Sequence, residues 1–196
     1  MNENIKPLAL PLVGKKLPEF SYDVLSNSQL AKGRLSDYRG RWIALVFYPG
    51  DFTFVCPTEL KEIADLYPRF QELGAEVLAV STDSVYSHLA WHDMSKAIGS
   101  VQFPMIADPA GILSHLLGVY IEGEGVALRG TFVVDPDGII RAVEVNDNGV
   151  GRSAAELLRR LQAVKYVTEH KGEACPASWK PGEKALKPGA ELVGKI

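Results

Sequence analysis

Residues 42–48, Trp-Ile-Ala-Leu-Val-Phe-Tyr, form an apolar run rich in β-formers, the pattern of a strand covered on both faces. Pro49-Gly50-Asp51 ends it. From Pro57 the spacing changes: Leu60, Ile63, Ala64, Tyr67 and Phe70 recur at helical intervals, and a proline suits a first helical turn that has no use for its missing N–H. Gly74 closes this helix and residues 75–81 read as a second buried strand. Strand, helix and strand in succession predict parallel pairing, with the helix that starts near Cys56 packed on the sheet.

Asp83 or Ser84 is placed to cap a further helix, with Val85, His88, Leu89 and His92 along one face, running to about Gly99. Residues 104–109 suggest a short strand and turn, followed by a brief helix from Gly111 to Leu117. Residues 131–134 and 139–145 flank Asp135-Pro136-Asp137-Gly138, whose proline and glycine supply the dihedrals of a tight turn and so predict a β-hairpin. Ser153-Ala154-Ala155-Glu156 fits a capping box, and Leu157, Leu158, Leu161 and Val164 make the buried stripe of the last long helix.

This order, β-α-β followed by β-β-α, predicts an α/β chain of thioredoxin-like fold: a central mixed β-sheet flanked by helices, with elements added at the front and middle. At 196 residues and 46% hydrophobic, one core is expected. After Gly172 prolines and glycines accumulate and large apolar residues thin out, so residues 1–171 read as one domain and 172–196 as an irregular arm. Cys175 lies in that arm, away from any expected regular element.

A net charge of −3 with scattered charges offers no basic stripe for nucleic acid and no amphipathic anchor for a membrane. The apolar stretch at residues 8–13 contains a proline and lacks a small-residue cleavage site, and no run of about 20 apolar residues occurs. The expected location is cytoplasmic. Cys56 and Cys175 are the only cysteines. In a reducing cytosol a structural disulfide would not persist, so a bond between them would be transient and functional, the plain alternative being two inert core thiols.

Local context decides for reactivity. Cys56 stands where the loop after a buried strand becomes a helix, near unpaired N–H groups and the positive end of the helix dipole, features that stabilise a thiolate. His88 and His92, spaced i, i+4, have no third ligand nearby and read as packing or surface residues rather than zinc ligands.

The string Phe47-Tyr48-Pro49-Gly50-Asp51-Phe52-Thr53-Phe54-Val55-Cys56-Pro57-Thr58-Glu59 closely resembles the Pro-x-x-x-Thr-x-x-Cys signature of the typical two-cysteine peroxiredoxins. Residues 128–135, 150–153 and 172–177 resemble family segments in the family's order, and the ending Leu192-Val193-Gly194-Lys195-Ile196 is similar to bacterial alkyl hydroperoxide reductase peroxidase subunits. The resemblance implies that Cys56 attacks a peroxide, hydrogen peroxide or an alkyl hydroperoxide, and becomes a sulfenic acid. It gives Arg129 the role of a cation beside the sulfur and Thr53 that of a hydrogen-bond partner of the peroxide. Pro49 shields the pocket, while Glu59 and Arg152 are supporting residues.

The same resemblance implies that Cys175 resolves the sulfenic acid as an intersubunit disulfide, within a homodimer that can assemble into a decameric ring. No cofactor or metal is called for. The chain has no Cys-x-x-Cys pair of its own, so a dithiol partner, thioredoxin or a flavoprotein disulfide reductase, must reduce the disulfide. Where oxidation-sensitive relatives carry Gly-Gly-Leu-Gly, this chain has Ala97-Ile98-Gly99-Ser100, which implies resistance to overoxidation. The competing reading from another class is an oligomeric holdase that uses its cysteines to switch assembly.

Overall fold

The computed structural model describes residues 10–195. Along the chain the strands are β1 (Ser21–Ser26), β2 (Gln29–Arg34), β3 (Trp42–Phe47), β4 (Ala75–Ser81), β5 (Met105–Ala107), β6 (Tyr120–Ile121), β7 (Val126–Ala127), β8 (Arg129–Val134) and β9 (Ile140–Asn146). The helices are α1 (Cys56–Glu72), α2 (Val85–Met94), α3 (Ile112–Leu116) and α4 (Ala154–Glu169). The chain divides into two compact units, the first ending at Ala154 and the second beginning at Ala155.

In the first unit seven strands form one sheet in the order β2-β1-β5-β4-β3-β8-β9. Every residue of β3, β4 and β8 is buried, as expected for strands inside a sheet that is covered on both faces. The sheet is mixed: β3–β4 and β4–β5 pair in parallel, and the remaining neighbours are antiparallel. Helix α1 packs on β4 and α2 on β1 and β5, so the thioredoxin-like arrangement expected from the order of elements is the one found. Leu60, Ile63, Tyr67 and Phe70 are the buried stripe of α1, continued at its start by Cys56 and Glu59. The helix stops at Leu73, after which Gly74 at φ 70° turns the chain back into β4, a conformation that would strain a side-chain-bearing residue.

Two features differ from the sequence reading. Helix α2 ends at Met94 instead of running to Gly99, because Ser95 is extended and its hydroxyl takes the N–H of Ile98, opening a separate short 3-10 turn at Ile98–Ser100. At the front, β1 and β2 make an antiparallel hairpin around Asn27 and Ser28, both at positive φ.

In the second unit the described residues of the arm, 172–195, hold no α-helix or strand, but specific contacts tie them together and to α4. Ala174 bridges to Leu186, Trp179 is buried with its ring 4.7 Å from that of Tyr166, and the Trp179 indole donates to the Glu183 carbonyl at 3.0 Å. Arg159 of α4 donates to the Trp179 carbonyl at 3.0 Å, and the Tyr166 hydroxyl donates to Glu173 at 2.6 Å. Cys175 is therefore not remote from regular structure: its Sγ lies 3.7 Å from the Ala163 carbonyl of α4.

Candidate active site

Leaving β3, the chain passes Tyr48, crosses a loop through Pro49 and Thr53, and enters α1 at Cys56. The loop is pinned from below. The Asp51 N–H donates to Asp83 Oδ2 at 2.8 Å, and Ser81 Oγ donates to the same oxygen at 2.7 Å. Tyr48 donates to Asp51 Oδ1 at 2.8 Å, and burial, with the Asp51 charge adding, pushes its hydroxyl well above its usual value, so it stays a donor. The fully buried ring of His88 is fixed at both nitrogens, Nδ1 2.8 Å from Asp51 Oδ2 and Nε2 3.2 Å from the Ile106 carbonyl. Such anchoring lets Phe52 sit at φ 55°, a conformation few non-glycine residues adopt.

Cys56 is the first residue of α1 and is 0% exposed. Among the described residues no side chain caps this terminus. The N–H groups of Thr58 and Glu59 turn back to the Val55 carbonyl and Pro57 has none to offer, so these three residues give the sulfur no backbone donor, and what the terminus supplies is the positive end of the helix dipole. Arg129 Nη1 approaches Cys56 Sγ to 3.4 Å. A cation, carried by the first residue of β8, thus lies within hydrogen-bond reach of the thiol.

The guanidinium of Arg129, 3% exposed, is locked on all sides. Nη1 also donates to Glu59 Oε2 at 2.7 Å, while Nε and Nη2 both donate to the Asn148 backbone carbonyl at 3.0 and 2.9 Å. Glu59 in turn receives Arg152 through Nε at 2.9 Å, Nη2 at 3.1 Å and the backbone N–H at 2.7 Å. Burial alone would raise the Glu59 carboxyl, but the hydrogen bonds and charge of Arg152, then the charge of Arg129, outweigh it and hold the group below its usual value. Arg152 finishes its set on the Gly130 carbonyl at 2.8 Å and Thr131 Oγ1 at 3.0 Å. Only glycine fits at 130, since a Cβ there would lie 2.8 Å from Val119 Cγ1.

Of the seven residues singled out in the sequence, Cys56, Arg129, Glu59 and Arg152 form one continuous hydrogen-bonded set. Pro49 is half-buried on the pocket loop. Thr53 is exposed, and its hydroxyl donates at 2.7 Å to the Gly50 carbonyl rather than to another member of the set. Cys175 belongs to the second unit, where burial and then Glu173 raise its thiol while Arg159 opposes them. The sequence reading missed Asn148, whose contribution is a main-chain carbonyl that no side-chain pattern announces, and the Tyr48-Asp51-His88 anchor. Part of the signal for that anchor was available: Tyr48 ends a run expected to be buried and His88 shares a helix face with Val85 and Leu89, and polar groups at buried positions need partners.

Thiol-dependent peroxidases use a cysteine so placed, and comparison with known proteins puts the chain among them. The AhpC/TSA family profile matches residues 13–143, and that of the C-terminal domain of 1-Cys peroxiredoxin matches residues 163–194, a stretch that includes Cys175. Alkyl hydroperoxide reductase C of Escherichia coli K12 is 48% identical over 187 residues, 95% of this chain and 100% of that protein. The corresponding protein of Pseudomonas aeruginosa is 44% identical over the same span. Among solved structures, Enterococcus faecalis AhpC superposes with TM-score 0.82 at 44% identity, covering 84% of this chain and 99% of that one. The reduced 2-Cys peroxiredoxin of Plasmodium vivax superposes with TM-score 0.87 at 34% identity, covering 92% and 95%. The chain belongs to the AhpC/TSA family and is a thiol-dependent peroxidase of antioxidant defence, which disfavours the holdase reading.

Proposed function

We propose that the Cys56 thiolate attacks the terminal oxygen of hydrogen peroxide or an alkyl hydroperoxide in line with the O–O bond. The S–O bond forms as the O–O bond breaks, leaving a Cys56 sulfenic acid, and the departing oxygen leaves as water or an alcohol after taking a proton. The observation that carries this reading is the Arg129 nitrogen 3.4 Å from a fully buried Cys56 sulfur. A guanidinium already fixed by Glu59 and Asn148 needs no reorganisation to stabilise charge on sulfur and oxygen, the condition under which electrostatic catalysis is strongest. Thr53 contributes by turning its hydroxyl from the Gly50 carbonyl to the bound peroxide, and Pro49 keeps water from the sulfur.

The sulfenic acid then condenses with Cys175 of the partner subunit, releasing water and forming a disulfide that a dithiol protein, thioredoxin or a flavoprotein reductase, reduces. A homodimer is the working unit, and exposed Phe52 and Phe54 on the pocket loop supply apolar surface suited to ring assembly. Cys56 and Cys175 are both free thiols, the state from which this cycle starts. The short turn at Ile98–Ser100 replaces a glycine-rich segment of sensitive relatives, so Cys56 sulfinic acid should stay scarce at modest peroxide excess, which peptide mass spectrometry measures.

The deciding experiment is intact mass spectrometry under denaturing, non-reducing conditions after one equivalent of hydrogen peroxide, for wild type and Cys175→Ser. The expected products are a covalent dimer joined Cys56 to Cys175 in wild type and a trappable Cys56 sulfenic acid in the variant. An unreacted Cys56 in both would overturn the assignment.

A further inference from the structure

Asn148-Gly149 is the only Asn-Gly pair in the sequence, and it sits in the loop after β9 with Arg129 on one side and Asp147 on the other. We propose that this pair is a self-modification site, at which the Asn148 side chain closes on the Gly149 nitrogen to a succinimide and then opens to isoaspartate, shutting down the peroxidase from within.

Succinimide closure requires the Gly149 amide to lose its proton and attack Asn148 Cγ. The first demand is met by groups already in place. The Gly149 N–H donates to Asp147 Oδ1 at 2.8 Å, and this exposed carboxylate is positioned to accept the proton. When the amide nitrogen loses its proton, the negative charge spreads onto the oxygen of the same peptide group, the Asn148 carbonyl. That oxygen receives two hydrogen bonds from the Arg129 guanidinium, at 3.0 and 2.9 Å. A base on the nitrogen and a cation on the oxygen are the arrangement by which enzymes stabilise an anion as it forms.

The electrophile is free of hydrogen bonds at its oxygen: among the described residues none donates to the buried Asn148 Oδ1, so no such bond must break for the side-chain amide to turn toward the Gly149 nitrogen. Glycine at 149 leaves the attacking nitrogen uncovered, and a Cβ there would come within 3.2 Å of Asp147 Oδ1 and crowd the contact that removes the proton. The balance is simple. The Gly149 N–Cγ bond forms, the Cγ–Nδ2 bond breaks, and ammonia leaves carrying the proton relayed by Asp147. One water then adds to an imide carbonyl, and no oxidant or reductant takes part.

Opening at the former main-chain carbonyl leaves a free carboxylate where Arg129 now meets a neutral oxygen. Arg129 would then face that carboxylate as well as Glu59, and its positive charge would no longer serve the Cys56 sulfur. This consequence rests on the role proposed above for Arg129, whereas the modification itself does not.

The test holds the reduced full-length protein at mildly alkaline pH and physiological temperature, in buffer and in parallel in concentrated urea. Peptide mass spectrometry and isoaspartyl methyltransferase labelling follow residue 148, with Asn27, which precedes Ser28, as the internal reference. Isoaspartate at 148 should accumulate faster in the native protein than in urea, and Asp147→Ala should slow the native reaction about tenfold or more, the low end of what a positioned base supplies. A native rate equal to or below the urea rate, or one that Asp147→Ala leaves unchanged, would overturn the proposal. The purified isoaspartate form is then assayed for peroxide consumption. Lost turnover supports the shut-down, and full turnover would refute the role of Arg129 while leaving the modified residue in evidence.

Discussion

Two thiols in this chain stand among the same kinds of neighbour, an arginine and a glutamate, and those neighbours are arranged differently around each sulfur. At Cys56 the arginine points at the sulfur and the glutamate stands behind the arginine, so the sulfur meets a cation that is itself immobilised. At Cys175 burial comes first and raises the thiol, Arg159 lowers it with the larger effect of the two charged neighbours, and Glu173 adds to the rise, while Glu156 holds the Arg159 Nε and Nη2. The first thiol is set to react as it stands. The second is kept as a thiol by a segment tied to α4 through Trp179 and Tyr166. In the cycle proposed above Cys175 is the resolving cysteine, and that role needs such restraint because the thiol must wait until a sulfenic acid exists.

The strongest way to break the comparison is to exchange the two arginines' chemistry. Arg129→Lys loses the planar fork that reaches Cys56, Glu59 and the Asn148 carbonyl together, and should lower the second-order rate with peroxide by about 10² to 10³, the effect of removing one preorganised donor. Arg159→Lys should leave that step within about twofold, because Arg159 contacts Trp179 and Glu156 and no reacting atom. Stopped-flow peroxide consumption measures both, and equal losses would show that the two sites do not differ in the way described.

Glu59 and Glu156 sharpen the same contrast in stability. Glu59→Gln leaves Arg129 and Arg152 buried with no counter-charge, which should cost about 3 to 5 kcal/mol. Glu156→Gln removes a half-exposed partner of Arg159 and should cost about 0 to 1 kcal/mol. The Glu59 carboxyl is held below its usual value in the folded chain, so the unfolded chain binds its proton more readily. Its contribution is fully present above the unfolded value of about 4.3 and is lost as the pH falls through the lower folded value. Urea titrations at neutral pH and in the acid range should show the wild type losing stability there and Glu59→Gln losing less.

What the sequence revealed of this site follows the same division. Strand β3, helix α1 and strand β4 were legible because unbroken apolar runs and a helical stripe leave few alternatives, and they alone place Cys56 at a helix N-terminus. Arg129, Glu59 and Arg152 were legible only through resemblance, since nothing in their spacing brings residues 59, 129 and 152 together. The hairpin β1–β2 was not read because β2, Gln-Leu-Ala-Lys-Gly-Arg, is exposed on both faces and carries no alternation. The order of the second unit escaped for a related reason. A single buried tryptophan and a few hydrogen bonds hold it, and a composition rich in proline and glycine hides such contacts.

In the proposed cycle the raised Cys175 thiol makes the resolving step depend on pH. Attack on the sulfenic acid uses the thiolate, whose fraction grows about tenfold per pH unit below the thiol's own value, so disulfide formation should quicken from neutral to alkaline pH. Rapid acid quench followed by non-reducing mass spectrometry reads that rate apart from the peroxide step. Glu173→Gln then tests which neighbour sets it. Removing the carboxylate takes away one cause of the raised thiol and weakens the hydrogen bond that Tyr166 donates at 2.6 Å, so both changes favour resolution. Because Glu173 is partly exposed and solvent screens its charge, the gain at neutral pH should be about two- to threefold. The pH profile separates the two causes. A shift of the whole curve to lower pH means that the charge at Glu173 sets the thiol, whereas a uniform rise at every pH means that the carboxylate acts by holding the segment against α4. No change in either would leave burial alone as the restraint on Cys175.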